Sequence, residues 1–332
     1  MRILLVSHRY SPDIGGIEEI VGQHARILVE RGNDVRVITT SKDRGMIGER
    51  EEEGVKINRF ASYSPNDAYF FSGRMGSYVG AIAEEYDIIH AHNYHAFPAL
   101  HAFRNRRTKP FVLSAHYHGG SNSKLRNLLL GPYKFLSRKM VEGSDAIVCV
   151  SESEKIMLER DFTLPETYVN HNAVEVEELE LAQKKDEICV VGRLEKYKNV
   201  DKVILALEEA KLEGIRDLTL NIIGDGPDKK RLEGIVSKRG LSESVVFHGF
   251  VSKEEKGSII GSCSCLLTLS SHESFGITII EAAKHGLRVI ASEIPPHREL
   301  ATILGEGVSI VDPRDVRGIA ELIIDCVNNK ER

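Results

Sequence analysis

The chain has 332 residues, 42% of them hydrophobic and 28% charged, with 28 glycines and 10 prolines. This is an ordinary globular composition with room for two domains of about 150 residues, and it excludes collagen-like, disordered and disulfide-scaffold chains. The 44 basic and 49 acidic side chains leave a net charge of −5, the wrong sign for a general nucleic-acid binder.

Ile3, Leu4, Leu5 and Val6 form a short apolar run, as expected of a strand buried on both faces. Ser11-Pro12-Asp13-Ile14-Gly15-Gly16 interrupts it. Ile17, Ile20, Val21, His24 and Leu28 then recur at helical spacing, and Gly32 is placed to end that helix. A second strand at 35–39 completes a βαβ unit of a parallel sheet. Strands follow at 87–90, 111–114 and 146–150. The alternation then restarts, with strands at 188–191, 218–223, 245–250, 266–269, 288–291 and 308–311. Helices lie between them, one behind the capping box Ser252-Lys253-Glu254-Glu255 and a last one starting at Asp312-Pro313.

The pattern predicts two doubly wound α/β domains of the Rossmann-like kind, 1–170 and 171–332. The acidic stretch Val174-Glu175-Val176-Glu177-Glu178-Leu179-Glu180 would connect them. Ligands of such sheets bind beyond the carboxyl ends of the strands, so a cleft between the domains is the expected site.

The five cysteines are scattered, form no CxxC pair, and read as small buried hydrophobes in a reducing compartment. No apolar run is long enough for a signal peptide core or a membrane span. The expectation is a cytoplasmic protein. Residues 101–140 nonetheless hold Arg104, Arg106, Arg107, Lys109, Lys124, Arg126, Lys134, Arg138 and Lys139 and no acid, with Leu125, Leu128, Leu129, Leu130 and Phe135 among them. Such a segment reads equally as a solvated basic face or as a peripheral contact with anionic lipid at the inner face of a membrane.

Three loops carry candidate chemistry. Gly15 and Gly16 open the first helix, where backbone N–H groups can approach a phosphate, although the same residues also suit a tight βα turn. The loop matches neither GxGxxG nor a Walker motif. Gly192-Arg193-Leu194-Glu195-Lys196-Tyr197-Lys198 follows a strand, and Arg193 and Lys198 can converge there on a diphosphate. His272-Glu273-Ser274-Phe275-Gly276-Ile277-Thr278-Ile279-Ile280-Glu281 leads from a strand into a helix. Phe275, Gly276 and Ile277 would present N–H groups at its start. Glu281 stands among apolar residues, where a carboxylate needs a partner; a ribose hydroxyl pair would supply one.

Taken in order, Pro12-Asp13-Ile14-Gly15-Gly16-Ile17-Glu18, Asp87-Ile88-Ile89-His90-Ala91-His92, Gly192-Arg193-Leu194 with Lys198, Gly224-Asp225-Gly226-Pro227, and Glu273-Ser274-Phe275-Gly276 with Glu281 resemble the family-four retaining glycosyltransferases of GT-B architecture. The resemblance runs from residue 1 to about 325. It implies that Gly16 brings amides to a donor diphosphate and that Arg193 and Lys198 neutralise it. Glu273, with the amides of Phe275 and Gly276, would hold the transferred sugar, and Glu281 the nucleotide ribose. His116 matches the family's histidine near the anomeric carbon, with His118 as the alternative, and the base would lie near Phe250.

The implied reaction moves a sugar from a nucleotide diphosphate sugar to a glycan or lipid-linked acceptor with retention. It needs no cofactor and no metal, because fixed cations take the metal's place. A nucleotide-sugar 2-epimerase of the same architecture, or a non-catalytic nucleotide-sugar-binding subunit, would share the binding residues. Three positions depart from the family pattern. Pro295-Pro296 stands where a Gly-Gly turn is common, and Asn172-Ala173-Val174 where Asn-Gly-Val is common. The last expected helix is followed closely by Arg332, where family members usually continue with helices that cross back.

Overall fold

The structure is a computed structural model that describes residues 1–13, 15–65, 69–118, 124–173 and 184–329, the side chains of 124–132 excepted. The expected connecting stretch 174–180 lies outside the described residues. The chain divides into two compact units, Met1–Asn172 and Ala173–Arg332.

The first unit holds strands β1 (Arg2–Val6), β2 (Asp34–Ser41), β3 (Gly48–Glu52), β4 (Val55–Ala61), β5 (Ile88–His92), β6 (Phe111–Ser114), β7 (Ala146–Cys149) and β8 (Thr167–Val169). They form one sheet in the order β3-β4-β2-β1-β5-β6-β7-β8, parallel except for the β3–β4 edge pair. Helices α1 (Gly16–Glu30), α2 (Gly73–Ile82), α3 (Phe97–Asn105), α4 (Lys124–Glu142) and α5 (Glu152–Asp161) connect and cover it. β1 is central: Leu5 pairs with Val37 on one side and with His90 on the other. Its apolar residues are fully buried between helices on both faces, which is why the strand reads as a continuous run.

The second unit holds β9 (Glu187–Val191), β10 (Thr219–Ile223), β11 (Val245–Gly249), β12 (Cys265–Thr268), β13 (Arg288–Ser292) and β14 (Val308–Val311). Their order, β11-β10-β9-β12-β13-β14, is wholly parallel. Its helices are α6 (Val200–Leu212), α7 (Lys229–Lys238), α8 (Lys253–Ser262), α9 (Ile277–Lys284), α10 (Pro295–Leu304) and α11 (Val316–Asn328). Its core joins Ile188, Leu220, Leu267 and Ile290 of the strands to Ile204, Leu207 and Ile323 of the helices.

Each sheet has one point where the strand order reverses: between β1 and β5 in the first unit, and between β9 and β12 in the second. Loops leaving the carboxyl ends of such strand pairs diverge to opposite faces and open a crevice. Gly15 and Gly16 follow β1, Arg193 and Lys198 follow β9, and Glu273, Phe275 and Gly276 follow β12, whereas His116 follows β6, Phe250 follows β11 and Glu281 lies within α9.

Several local expectations are corrected. The last helix starts at Val316, not at Asp312-Pro313, because Asp315 is its N-cap and accepts from the Gly318 N–H at 2.9 Å. Asp312 is instead engaged by Arg314. The strand expected at 245–250 ends at Gly249, which leaves Phe250 outside it. Pro295 and Pro296 occupy the first turn of α10, where a missing N–H costs nothing. All five cysteines are buried and free, as expected. Ser252 caps α8 by accepting from the Glu255 N–H at 3.1 Å.

Candidate functional site

In the second unit, the loop after β9 lies flat on the loop after β10. Gly192 N–H donates to Ile223 O at 2.9 Å and Leu194 N–H to Asp225 O at 2.9 Å, while Asp228 N–H donates back to Leu194 O at 3.0 Å. Two glycines make this approach feasible. A side chain at Gly224 would collide with the Gly192 carbonyl, and one at Gly226 with the Leu194 backbone. Gly192 and Gly224 also have φ of 135° and 129°, a region that side-chain-bearing residues rarely adopt. The Gly224-Asp225-Gly226 motif therefore acts as a seat for the Arg193 loop.

The chain then turns through Lys196–Lys198 into Asn199, which is left-handed at φ 52°. Asn199 Nδ2 donates to Leu269 O at 2.7 Å and to Ser271 Oγ at 3.1 Å, and Ser271 N–H donates to Tyr197 O at 2.8 Å. The Tyr197 and His272 rings stack at 4.2 Å. These ties bind the loop after β9 to the loop after β12 and bring Lys198 Nζ to 2.5 Å from Glu273 Oε1. Both side chains are only about one-fifth exposed, at 19% and 20%. Burial opposes the Lys198 ammonium, but Glu273 more than offsets this and raises its pKa. Burial likewise works against the Glu273 carboxylate, and Lys198 reverses it, holding the carboxyl below its usual range. The pair is ionised at neutral pH.

Gly192, Arg193, Lys198, Thr268 and Ser270 line one recess of roughly 240 Å³ that is open to solvent. Arg193 is 3.1 Å from Glu195 and more exposed than Lys198. So the two cations expected to converge do share one recess, each beside a carboxylate.

Helix α9 begins beside them. Its N-cap is Gly276 at φ 109°, without a side-chain cap. A Gly276 side chain would press on His297 and Leu300 of α10. Phe275 is buried, and the N–H groups of the first turn begin at Ile277. His297 supports this turn from below: Nδ1 is 3.1 Å from Ser292 Oγ and 3.2 Å from Ser292 O. Ser292 Oγ donates to Ser270 O at 2.5 Å, so Nδ1 is the protonated nitrogen of a neutral ring. Burial lowers the His297 pKa to about 4, against the pull of Glu273.

Glu281, one helical stretch further on, is buried as expected, but its partner comes from the chain itself. Lys256 Nζ of α8 lies 2.6 Å from Glu281 Oε1. Sequence reading left Lys256 out because no local pattern links residues 25 apart. Phe250 lies beyond β11 and is 63% exposed.

In the first unit, Gly15 precedes α1 in an extended conformation with no side-chain cap. The Glu18 carboxylate folds back over Gly15 into the space a side chain there would need. Glu18 is buried, 3.9 Å from His8 Nε2, and it answers the positive end of α1 from within the chain. Ile14 lies outside the described residues.

His116 leaves the end of β6 with a left-handed backbone, φ 49°, and is buried. Its Nε2 is 3.3 Å from His92 Nδ1. His92 in turn packs against His90 at 4.4 Å and His24 at 5.5 Å between ring centres. Burial lowers His116 to about 4 and His8 and His90 to about 3, so these rings are neutral at pH 7. His118 is only partly buried and stacks on His95 at 4.2 Å. The wider histidine layer could have been found from His90-Ala91-His92, since alternate residues of a strand share a face.

Four of the nine basic residues at 101–140 are paired with acids among the described residues, three from other segments and one from the same helix. Arg106 meets Asp145 at 2.7 Å, Lys109 meets Glu84 at 3.4 Å, Lys134 meets Asp161 at 2.8 Å, and Arg138 meets Glu142 at 2.7 Å. The side chains of Lys124, Leu125, Arg126, Leu128, Leu129 and Leu130 lie outside the described residues. Among the described residues no helix is long and apolar enough to cross a membrane, and no cluster of three metal-ligating side chains is found.

Comparison with known proteins gives this arrangement its context. Residues 173–332 match the family model described as glycosyl transferases group 1, and residues 14–178 match that described as glycosyltransferase family 4. An uncharacterized glycosyltransferase of Methanocaldococcus jannaschii is 29% identical, over 100% of this chain and 90% of its own. The GDP-mannose:cellobiosyl-diphosphopolyprenol alpha-mannosyltransferase of Xanthomonas campestris is 26% identical, over 93% of this chain and 83% of its own. The structure of sucrose-phosphate synthase from Thermosynechococcus elongatus superposes with a TM-score of 0.81 at 18% identity, over 99% of this chain and 90% of that one. With both units matched in order and the parallel-sheet fold shared throughout, the chain belongs to the group 1 glycosyltransferases of GT-B architecture.

Proposed function

We propose that this glycosyltransferase takes its sugar from a nucleotide diphosphate sugar and transfers it, with retention at the anomeric carbon, to a glycan or lipid-linked acceptor. The observation that carries the donor assignment is the Lys198–Glu273 pair at 2.5 Å, beside Arg193 and next to the uncapped start of α9. An ammonium has three N–H donors, so Lys198 can hold Glu273 and still offer charge to a phosphate oxygen. Arg193 supplies the planar fork. Glu273, kept ionised, can accept from sugar hydroxyls, and the backbone at Phe275, Gly276 and Ile277 faces the same substrate. Glu281 accepts from the ribose once Lys256 yields one carboxylate oxygen.

In the reaction the bond from the anomeric carbon to the leaving phosphate oxygen breaks, and the acceptor hydroxyl oxygen bonds to the same face of that carbon. The acceptor proton passes to the leaving diphosphate. Arg193 and Lys198 stabilise the charge that grows there, the kind of fixed electrostatic contribution that dominates many enzymes. No metal is required in this scheme. His116 serves the sugar from the first unit, and Gly15 and Gly16 approach the diphosphate, as the family resemblance implies.

A polyprenol-linked acceptor is supported by the Xanthomonas relative, whose own acceptor is a cellobiosyl-diphosphopolyprenol. Phe135, 79% exposed on α4 beside Leu136, Lys134 and Lys139, would supply the peripheral membrane contact such an acceptor needs. The reading is tested by turnover of UDP-, GDP-, ADP- and dTDP-sugars in the presence of a chelator. Release of nucleoside diphosphate from at least one of them is expected. A strict requirement for a divalent ion would remove the metal-free scheme.

A further inference from the structure

The sequence Ser151-Glu152-Ser153-Glu154 has the form of a capping box, S-x-x-E, at the start of α5. One half is realised: Glu154 N–H donates to Ser151 Oγ at 2.9 Å. The Glu154 side chain also reaches beyond the box. The Glu154 carboxylate, with none of the residue exposed, accepts the Val150 N–H at 2.6 Å through Oε2 and the Tyr117 N–H at 2.5 Å through Oε1. It thereby joins the end of β7 to the segment leaving β6, 37 residues away in sequence. Tyr117 is the residue directly after His116, whose left-handed backbone needs support from its surroundings. Tyr117 is held at its other end too, since its hydroxyl donates to Asp161 of α5.

A fully buried carboxylate is costly, and capping α5 does not require this one to cross to another strand. The two short bonds instead fix where the chain goes immediately after His116. We propose that Glu154 is a positioning residue for His116, holding the β6 end so that the imidazole keeps the orientation the transfer reaction uses. This rests on the reading of His116 as the histidine beside the donor's anomeric carbon.

The test compares Glu154→Gln, His116→Ala and the double variant in the full chain, using whichever of UDP-glucose and GDP-mannose the wild type turns over. Glutamine keeps the shape but has one acceptor oxygen, so one of the two N–H groups loses its partner. We expect kcat of Glu154→Gln to fall at least tenfold with KM for the nucleotide sugar within about twofold. The double variant should be no slower than His116→Ala alone. Amide hydrogen exchange at Tyr117 and Val150 should quicken at least tenfold while the second unit is unchanged. Retention of more than half the wild-type kcat, multiplying losses in the double variant, or unchanged exchange at Tyr117 would overturn the proposal. If His116→Ala keeps full activity, the His116 reading falls, and the exchange arm alone then decides whether Glu154 clamps this segment. Should Glu154→Gln not fold, Ser151→Ala removes the hydroxyl that caps the Glu154 N–H and so loosens the residue that carries the carboxylate; it is read in the same way: slower turnover at unchanged KM supports the clamp, and unchanged turnover opposes it.

Discussion

Lys198 and Glu273, 75 residues apart in sequence, meet at 2.5 Å because Asn199 and Tyr197 tie the loop after β9 to the loop after β12. Each favours the charged form of the other against the opposing effect of burial. Replacing Lys198 by Met leaves Glu273 without its cation and the leaving group without one of its charges. The expected loss in kcat is about 10²-fold or more, the usual scale for removing one preorganised electrostatic contact. Steady-state kinetics of Lys198→Met and Lys198→Arg check this, with the arginine variant recovering only part of the rate because its planar fork does not replace a point charge.

The seat beneath the Arg193 loop gives a stability prediction. Gly224→Ala and Gly226→Ala each force a methyl group into backbone atoms, at about 2 kcal/mol or more from strain and overpacking. Gly240 is the control, because its φ is also positive, 68°, but nothing lies within 4 Å of an added Cβ. Gly240→Ala should cost only about 1 to 2 kcal/mol, that of a left-handed alanine. Denaturant midpoints of the three variants measure the difference, and donor KM should rise for the first two alone.

Much of this fold was readable from local signals. The buried parallel strands appear as apolar runs such as Leu4-Leu5-Val6, and Gly32 and Gly286 mark helix ends with φ of 79° and 64°. The edge strand β3 was not readable, since Gly48, Glu49, Arg50, Glu51 and Glu52 are all exposed and present no apolar alternation. The N-cap of α11 was misplaced by three residues because Asp312 and Asp315 are equally good caps locally, and only the structure decides between them. In the site, residue types were legible but pairings were not. The isolated carboxylate of Glu281 called for a partner, and nothing near it in sequence pointed to Lys256.

That Lys256–Glu281 contact at 2.6 Å makes its own prediction. Lys256→Met takes the ammonium from beside a buried carboxylate, so the free protein should melt at lower temperature than wild type. A nucleoside diphosphate should then raise the melting temperature by more than it does in wild type, because its ribose no longer competes with an ammonium. Glu281→Gln should lose most of the ligand-induced rise. Thermal melting with and without UDP or GDP separates the three cases.

The histidine layer sets a pH dependence. Burial depresses His8 and His90 to about 3 and His116 to about 4, and His92 is lowered as well. In the unfolded chain these rings protonate near 6.5, so acid favours the unfolded state. Their contribution is complete above about pH 6.5 and is lost as pH falls, down to about 4 for His116 and about 3 for His8 and His90, at roughly 1.4 kcal/mol per pH unit for a ring. Glu154, raised to about 7 by burial, has the opposite slope, its contribution present below about 4.5 and lost as pH rises through 7. Four rings against one carboxyl leave net destabilisation by acid. Melting temperature between pH 7 and pH 5 should fall in wild type and fall less in His90→Gln.

The proposed donor site is the set Arg193, Lys198, Glu273 and Glu281 of the second unit, which would bind a nucleotide diphosphate sugar. Calorimetric titration of UDP, GDP and their sugars into the wild type and into Arg193→Ala, with a chelator present, tests it most directly. Saturable binding of at least one nucleotide by wild type is expected, with at least tenfold weaker binding by Arg193→Ala. Binding by both proteins with equal affinity, or by neither, would contradict it.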